Sequence, residues 1–502
     1  MLKRVLQLLS DSLVYGIGGV LGQLISFLLL PLYTRRLDPT DYGVLAMLAM
    51  ISPVFTTLAA AGMKSALFQQ FYRTEAPHLR KTVCTTALIA VTLSTICWLA
   101  LGLVGADLLG FVLIGNNTAT TLVQLSLASA AIGTLIDIPL AVLQAARRAR
   151  TVAMLNTAQL LIVVSLSAYM VIALRWGVQG IVLGGLVGNA LSLMLCLLST
   201  ASFFTRSIDF VIWKKMALYS LPFLPHRLQS AAMAFWGDYV VRTYLGLSEA
   251  GLYTMANRFT LPIGLLFGAI MQAWNPYKHK VYAEEADSPS FFRSTFTYFF
   301  FLLSYCWLIV SAWGPEALRI MTTPAFHAAS TLIWIVALMR ATQALYPMVA
   351  TAIELKSDTR LIPLISFAAL VVSIVFSILL VPMMGAYGAA AATSLAWLAM
   401  AIGAYILAQR QLAIRYDFVI LICLALLAAF FTVLANAVQS FGMTQRICSL
   451  VFLSAMYPVL GLLIVSRSTT EQHRVKHLIG SLSTIFMTRL LGKPPRSTKT
   501  AL

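Results

Sequence analysis

Four cations stand inside long apolar stretches, where a charge is costly and is usually kept for function. Arg227 and Arg340 fall about 11–12 residues into theirs, roughly 16–18 Å at 1.5 Å per residue, near a bilayer midplane. Arg258 falls about 8 residues from the end of its stretch, roughly 12 Å deep, and Lys64 stands at the end of another. A guanidinium is planar, always charged and shaped to grip two oxygens of a phosphate or carboxylate at once. The chemistry this predicts is capture of an anion in a cavity, by Arg227, Arg258 and Arg340 together with Lys64. For Lys64 the competing reading is a side chain that snorkels to the membrane surface. For Arg258 it is a structural pair with Asp238. Asp137, Asp238 and Glu354 are the acids able to serve as counter-ions or to carry a coupling ion. Pro222 and Pro225, just before Arg227, should loosen their helix and suit it to act as a gate.

Other candidate chemistries fail on spacing. The six cysteines show no CxxC or metal-ligand pattern, so no metal and no disulfide framework is expected, and no cofactor motif is present. Gly16, Gly18, Gly19 and Gly22 lack the spacing and the preceding strand of a nucleotide-binding loop. Gly18 and Gly22 instead offer a smooth face for close helix packing. The net charge of +18 invites a nucleic-acid partner, but the cations sit in short loops between apolar runs and form no soluble basic face. Asn116-Asn117-Thr118 is a glycosylation sequon that reads as a turn.

The elements that must position these charges are spanning helices. Of the 502 residues 60% are hydrophobic and 10% charged, against about 25% charged in soluble domains. Apolar runs of roughly 20 residues, the length a bilayer requires, follow one another at 11–33, 42–64, 82–107, 121–145, 153–174, 178–201 and 216–239. They continue at 250–275, 292–314, 328–354, 361–382, 386–408, 417–437 and 447–466. The expected fold is an all-α polytopic membrane protein of about 14 transmembrane helices. Of the 35 Lys and Arg, 25 fall on the side of the N-terminus, 6 on the other and 4 inside spans. Under the positive-inside rule both termini are cytoplasmic. Residues 1–10 read as an interfacial lead-in. Residues 467–502 read as a basic amphipathic tail lying on the anionic leaflet.

The chain repeats itself at an offset of 208 residues. Leu37-Asp-Pro-Thr-Asp-Tyr-Gly43 aligns with Leu245-Gly-Leu-Ser-Glu-Ala-Gly251, Gly177 and Gly180 with Gly385 and Gly388, and Arg148 with Lys356. Six helices separate the copies, so the two lobes share one orientation about an axis along the membrane normal. The expected organisation is a first lobe over 11–201, a second over 216–408, and two extra C-terminal helices over 417–466. Gly19, Met50 and Ile132 stand where the second lobe has Arg227, Arg258 and Arg340, so the deep positive charge belongs to one lobe.

Tyr15-Gly-x-Gly-Gly, then Phe27 through the Leu-Pro-Leu-Tyr-Thr-Arg stretch to Asp41-Tyr-Gly43, resemble the start of polysaccharide repeat-unit flippases of the Wzx type. Gly251-Leu-Tyr-Thr-Met-Ala-Asn-Arg258 and Trp274-Asn-Pro276 continue the likeness. The sequence departs from the common pattern at Gln69-Gln70-Phe-Tyr72, where such proteins often have Arg before Phe-Tyr. The resemblance implies the fold of the multidrug/oligosaccharidyl-lipid/polysaccharide exporter superfamily. It also implies transport of an undecaprenyl-diphosphate-linked oligosaccharide from the inner to the outer leaflet for surface polysaccharide such as lipopolysaccharide or exopolysaccharide. Membrane lipids, a polysaccharide polymerase and glycosyltransferases are the implied partners. A multidrug or cation antiporter should instead show buried carboxylates in excess, and a peptidoglycan lipid-precursor flippase does not match the loop motifs. A membrane-embedded glycan polymerase would need a sizeable outer loop with acid and base residues, which the short loops here do not offer.

Overall fold

The computed structural model describes residues 25, 27–74, 76–115, 119–221, 224–284, 288–355 and 362–466. The N-terminal lead-in, most of the first predicted span with its glycines, the sequon, Pro222 and the basic tail lie outside them. Every regular element among the described residues is helical. Among the described residues eleven helices are long and apolar enough to cross a membrane, and a bent pair, Leu247–Phe259 with Leu261–His279 at 46°, makes a twelfth if taken as one span. The expected span at 216–239 takes in the end of α10 (Phe210–Ser220) and most of α11 (Leu224–Leu245), with Pro225 in the first turn of α11.

The first half opens with α1 (Leu30–Thr34) and the expected second span, which is not one rod. It runs as α2 (Pro39–Ala49), α3 (Ile51–Ala60) and α4 (Met63–Arg73), with a left-handed break at Ala61 and Gly62 between the last two. The Leu37–Gly43 motif sets its start. The Asp38 carboxylate accepts from the Asp41 amide at 2.8 Å and the Asp41 carboxylate from the Asp38 amide at 3.1 Å, a reciprocal cap that satisfies two free helix-end donors. Pro39 then takes the first helical position, where its missing N–H costs nothing. After α5 (Pro77–Val104) and the short α6 (Ala106–Ile114) come α7 (Thr120–Ala145), α8 (Ala149–Ile172) and α9 (Gly177–Thr200).

The second half repeats this order. After α11 come α12 (Leu247–Phe259) and α13 (Leu261–Glu284), then α14 (Ser288–Met321), α15 (Ile333–Val349) and α16 (Thr351–Leu355), α17 (Ile362–Met384) and α18 (Ala386–Gln411). The 208-residue offset is visible in the contacts. A methyl group on Gly43 would lie 1.9 Å from the Leu247 carbonyl oxygen, and one on Gly251 would lie 1.8 Å from the Pro39 carbonyl oxygen. Adding 208 to the first-half residue of one contact and subtracting it from the second-half residue gives the other. Thus α2 and α12 cross backbone against backbone about an internal two-fold axis, at the end of the bundle that is poor in Lys and Arg. Gly177 and Gly385, another equivalent pair, both open their helices at positive φ, 53° and 61°.

The last two spans, α19 (Phe418–Ala437) and α20 (Met443–Ser466), dock on α14. Arg293 pairs with Asp417 at one end, and Arg446 reaches Glu316 at 2.9 Å at the other. Between them Tyr457 stacks on Phe301 and Tyr305 and shares a 2.6 Å hydrogen bond with Ser304.

Candidate functional site

The predicted cations do not converge on one point. Arg227, in the first turn of α11, is exposed and donates to the Ser65 hydroxyl of α4 at 3.2 Å. Lys64 precedes that serine, and its charge acts on Asp137 of α7. These groups gather where the second half meets the first at the Lys/Arg-rich end. Beside them an apolar groove of about 660 Å³ runs between α3, α5 and α10, with Met63, Trp98, Trp213 and Leu224 on its walls.

Arg258 lies at the opposite end. Its guanidinium sits over the Tyr42 ring at 5.5 Å, the distance of a cation–π contact. Phe326 meets the same ring edge-on at 5.1 Å. Tyr42 is 2% exposed, and its hydroxyl has no hydrogen-bond partner among the described residues. Arg258 forms no pair with Asp238; it looks into a cavity of about 380 Å³ in the first half, lined with Ser126, Ser129, Ser167 and Asn189. Tyr42 and Ser65 are 23 positions apart. At 1.5 Å per residue that is about 35 Å of helical contour. Arg258 and Arg227 therefore mark the two ends of one seam.

Arg340 belongs to neither end. In α15 it donates to the side chains of Asn257 at 3.1 Å and Gln343 at 3.0 Å. Asp238 lines the same small cavity inside the second half and accepts from the Thr254 hydroxyl at 2.8 Å. Glu354 pairs with Lys278, which lies beyond the predicted span at 250–275. The helix α13 in fact continues past Trp274-Asn-Pro276 to Glu284, burying Lys278 to 2% exposure beside Asn275. Trp274 donates to the Thr351 hydroxyl at 3.2 Å. The hydroxyl and amide side chains around Arg258 are the residues that sequence reasoning missed. Their signal was present as mid-span amides, Gln159 and Asn189, which hydrogen-bond each other at 3.0 Å.

Two like-oriented halves joined along a seam, with cations of one half reaching residues of the other at both ends, is an arrangement suited to passing a charged group across a membrane. The sequence profile of the family described as Polysaccharide biosynthesis protein matches residues 8–281, more than half of the chain. The chain belongs to this family. No curated protein matches it. Among solved structures it is similar to the lipid II flippase MurJ in an inward closed conformation, with a TM-score of 0.74 and 12% identity, covering 91% of this chain and 100% of that one. A multidrug resistance MATE family transporter of the MOP superfamily, in an inward-facing conformation, aligns with a TM-score of 0.62 and 17% identity over 77% of this chain and 94% of that one. A MOP superfamily transporter from Pyrococcus furiosus, described as having a binding pocket of reversed polarity, gives a TM-score of 0.58 and 15% identity, covering 80% of this chain and 95% of that one. The fold is that of a MOP superfamily transporter, and this member of the polysaccharide biosynthesis family is a multi-pass membrane protein.

Proposed function

We propose that the protein flips undecaprenyl-diphosphate-linked oligosaccharide repeat units from the inner to the outer leaflet of the cytoplasmic membrane by alternating access. The lobes are residues 11–201 and 216–408, with 417–466 as an appendage and both termini in the cytoplasm. The observation that carries the reading is the cation ladder of the seam. Arg227 with Lys64 stands at the cytoplasmic end and Arg258 at the outer end, each reaching a first-half residue. A diphosphate entering from the cytoplasm would meet Arg227 first and Arg258 last, and guanidinium groups hold phosphate oxygens through paired, charge-assisted hydrogen bonds. The apolar groove beside Arg227, about 660 Å³, has the chemistry to shelter part of a prenyl chain while its head group is held. Asp137 and Asp238 are the acids that would carry a coupling ion. Polymerase and glycosyltransferases would act on the product and on the precursor.

The test is a charge series at Arg227 and Arg258 in cells, read as outer-leaflet glycan at matched protein abundance. Each Ala replacement should lower export at least tenfold, the equivalent of about 1.4 kcal/mol, and Lys should restore part of it. Full export with both residues changed to Ala would sink the proposal. If peptidoglycan precursor export failed while surface glycan was normal, the substrate would be the peptidoglycan lipid precursor instead.

A further inference from the structure

The cavity under Arg258 has a counterpart in the other half. Its lining residues Leu29, Leu45, Ala49, Gly185 and Asn189 become Gly237, Tyr253, Asn257, Thr393 and Trp397 when 208 is added, and all five of these line the cavity that holds Arg340. The halves thus hold the same internal pocket, treated in opposite ways. In the second half Arg340 and Asp238 replace Ile132 and Leu30, and the space left is about 50 Å³. In the first half no charge of its own fills the pocket, and about 380 Å³ remains open.

The first-half pocket is built for a polar ligand. Its only cation among the described residues, Arg258, comes from the other half and makes neither an ion pair nor a hydrogen bond among them. The Tyr42 ring beneath this guanidinium forms part of the pocket wall. Deeper in, Gln159 fixes Asn189, and the Asn189 amide donates to the Ser129 hydroxyl at 3.2 Å. This leaves pre-set hydroxyl and amide groups facing the space. An unpaired guanidinium at the mouth and neutral hydrogen-bonding groups inside match a phosphoryl group joined to a sugar.

We infer that the first-half pocket is a carbohydrate-binding subsite that takes the sugar unit attached to the diphosphate, with Arg258 on the phosphoryl oxygens and Ser126, Ser129 and Asn189 on sugar hydroxyls. The inference rests on the flippase reading and adds to it a place where the sugar is read. A site that hydrogen-bonds hydroxyls rejects analogues lacking them far more strongly than an apolar one can. The pocket would therefore decide which repeat units are exported.

The experiment uses the full-length protein in cells that make their own glycan. A photoreactive benzoylphenylalanine replaces Ser126 in one strain and Ser65, beside Arg227, in another. Irradiation should give adducts at both positions, and mass spectrometry of the Ser126 adduct should show at least one sugar together with phosphate. Glycolipid trapped at Ser65 but never at Ser126, or a Ser126 adduct bearing only a lipid chain, overturns the subsite while leaving the flippase reading intact. No glycolipid at either position overturns both. As a second readout, Ser52→Ala with Ser126→Ala removes two pocket hydroxyls that hold no hydrogen bond among the described residues. Export should fall about tenfold, and wild-type export in that double variant overturns the subsite.

Discussion

Asp238 is 8% exposed, and Arg340 stands across a 50 Å³ cavity from it, close enough for its charge to act. Their surroundings are a closed set of partners: Thr254 for the acid, Asn257 and Gln343 for the guanidinium. A charge at membrane depth survives only in such company. Arg340→Ala would leave two side-chain acceptors and a buried acid short of their cation. Hydrogen bonds to charged groups contribute about 1.5–3 kcal/mol, so the variant should lose several degrees of thermal unfolding temperature in detergent. Asp238→Asn in the same chain should recover part of the loss, because it removes the charge that Arg340 faced. Purely additive effects in this double-mutant cycle would show that the two groups are not coupled. The depth of Arg340 was legible in the sequence, but its facing was not. A helical residue turns about 100° from its neighbour, and one sequence does not say which side of α15 faces α12.

Elements were easier to read than facings. The order of the apolar runs and the 208-residue offset were both open to inspection, because bilayer thickness fixes helix length and loops carry the repeat's least ambiguous residues. The breaks were harder. The left-handed turn at Ala61 and Gly62 falls eight residues beyond Pro53, the proline of its run, and α13 continues through Pro276 because neighbouring groups can satisfy backbone freed inside a bundle. The crossing of α2 and α12 shows what the Gly43 and Gly251 motifs are for. Any side chain at either site would collide with the partner's backbone carbonyl, which cannot rotate away. Gly251→Leu should therefore force the two helices apart. A cysteine placed at Ser52, in a chain freed of its six native cysteines, should then react several-fold faster with a membrane-impermeant thiol reagent added from the Lys/Arg-poor side. Equal reaction rates with and without Gly251→Leu would mean that the crossing does not close that end.

The molecule is held shut unequally at its two ends. At the Lys/Arg-poor end the backbone crossing is joined by the Tyr42–Phe326 ring pair and by two hydrogen bonds between the halves, Arg242 to the Phe111 carbonyl at 3.4 Å and Thr323 to the Thr34 carbonyl at 3.2 Å. At the Lys/Arg-rich end the side-chain hydrogen bond from Arg227 to Ser65 is exposed, and exposed polar contacts exchange readily with water. There α10 leans on α4 through small residues, Ser220 against Gly62. Alternating access should then begin with α10 leaving α4. A crosslink between these helices tests the order of events. A Cβ on Gly62 would lie 3.3 Å from the Ser220 Cβ, close to disulfide reach. Gly62 has a φ of 78°, so Gly62→Cys costs about 1–2 kcal/mol but leaves the pair joinable. With Ser220→Cys beside it, oxidation should cut export about tenfold or more, and reduction should restore it. Normal export by the fully crosslinked protein would place the opening motion elsewhere in the bundle and leave α10 a fixed wall.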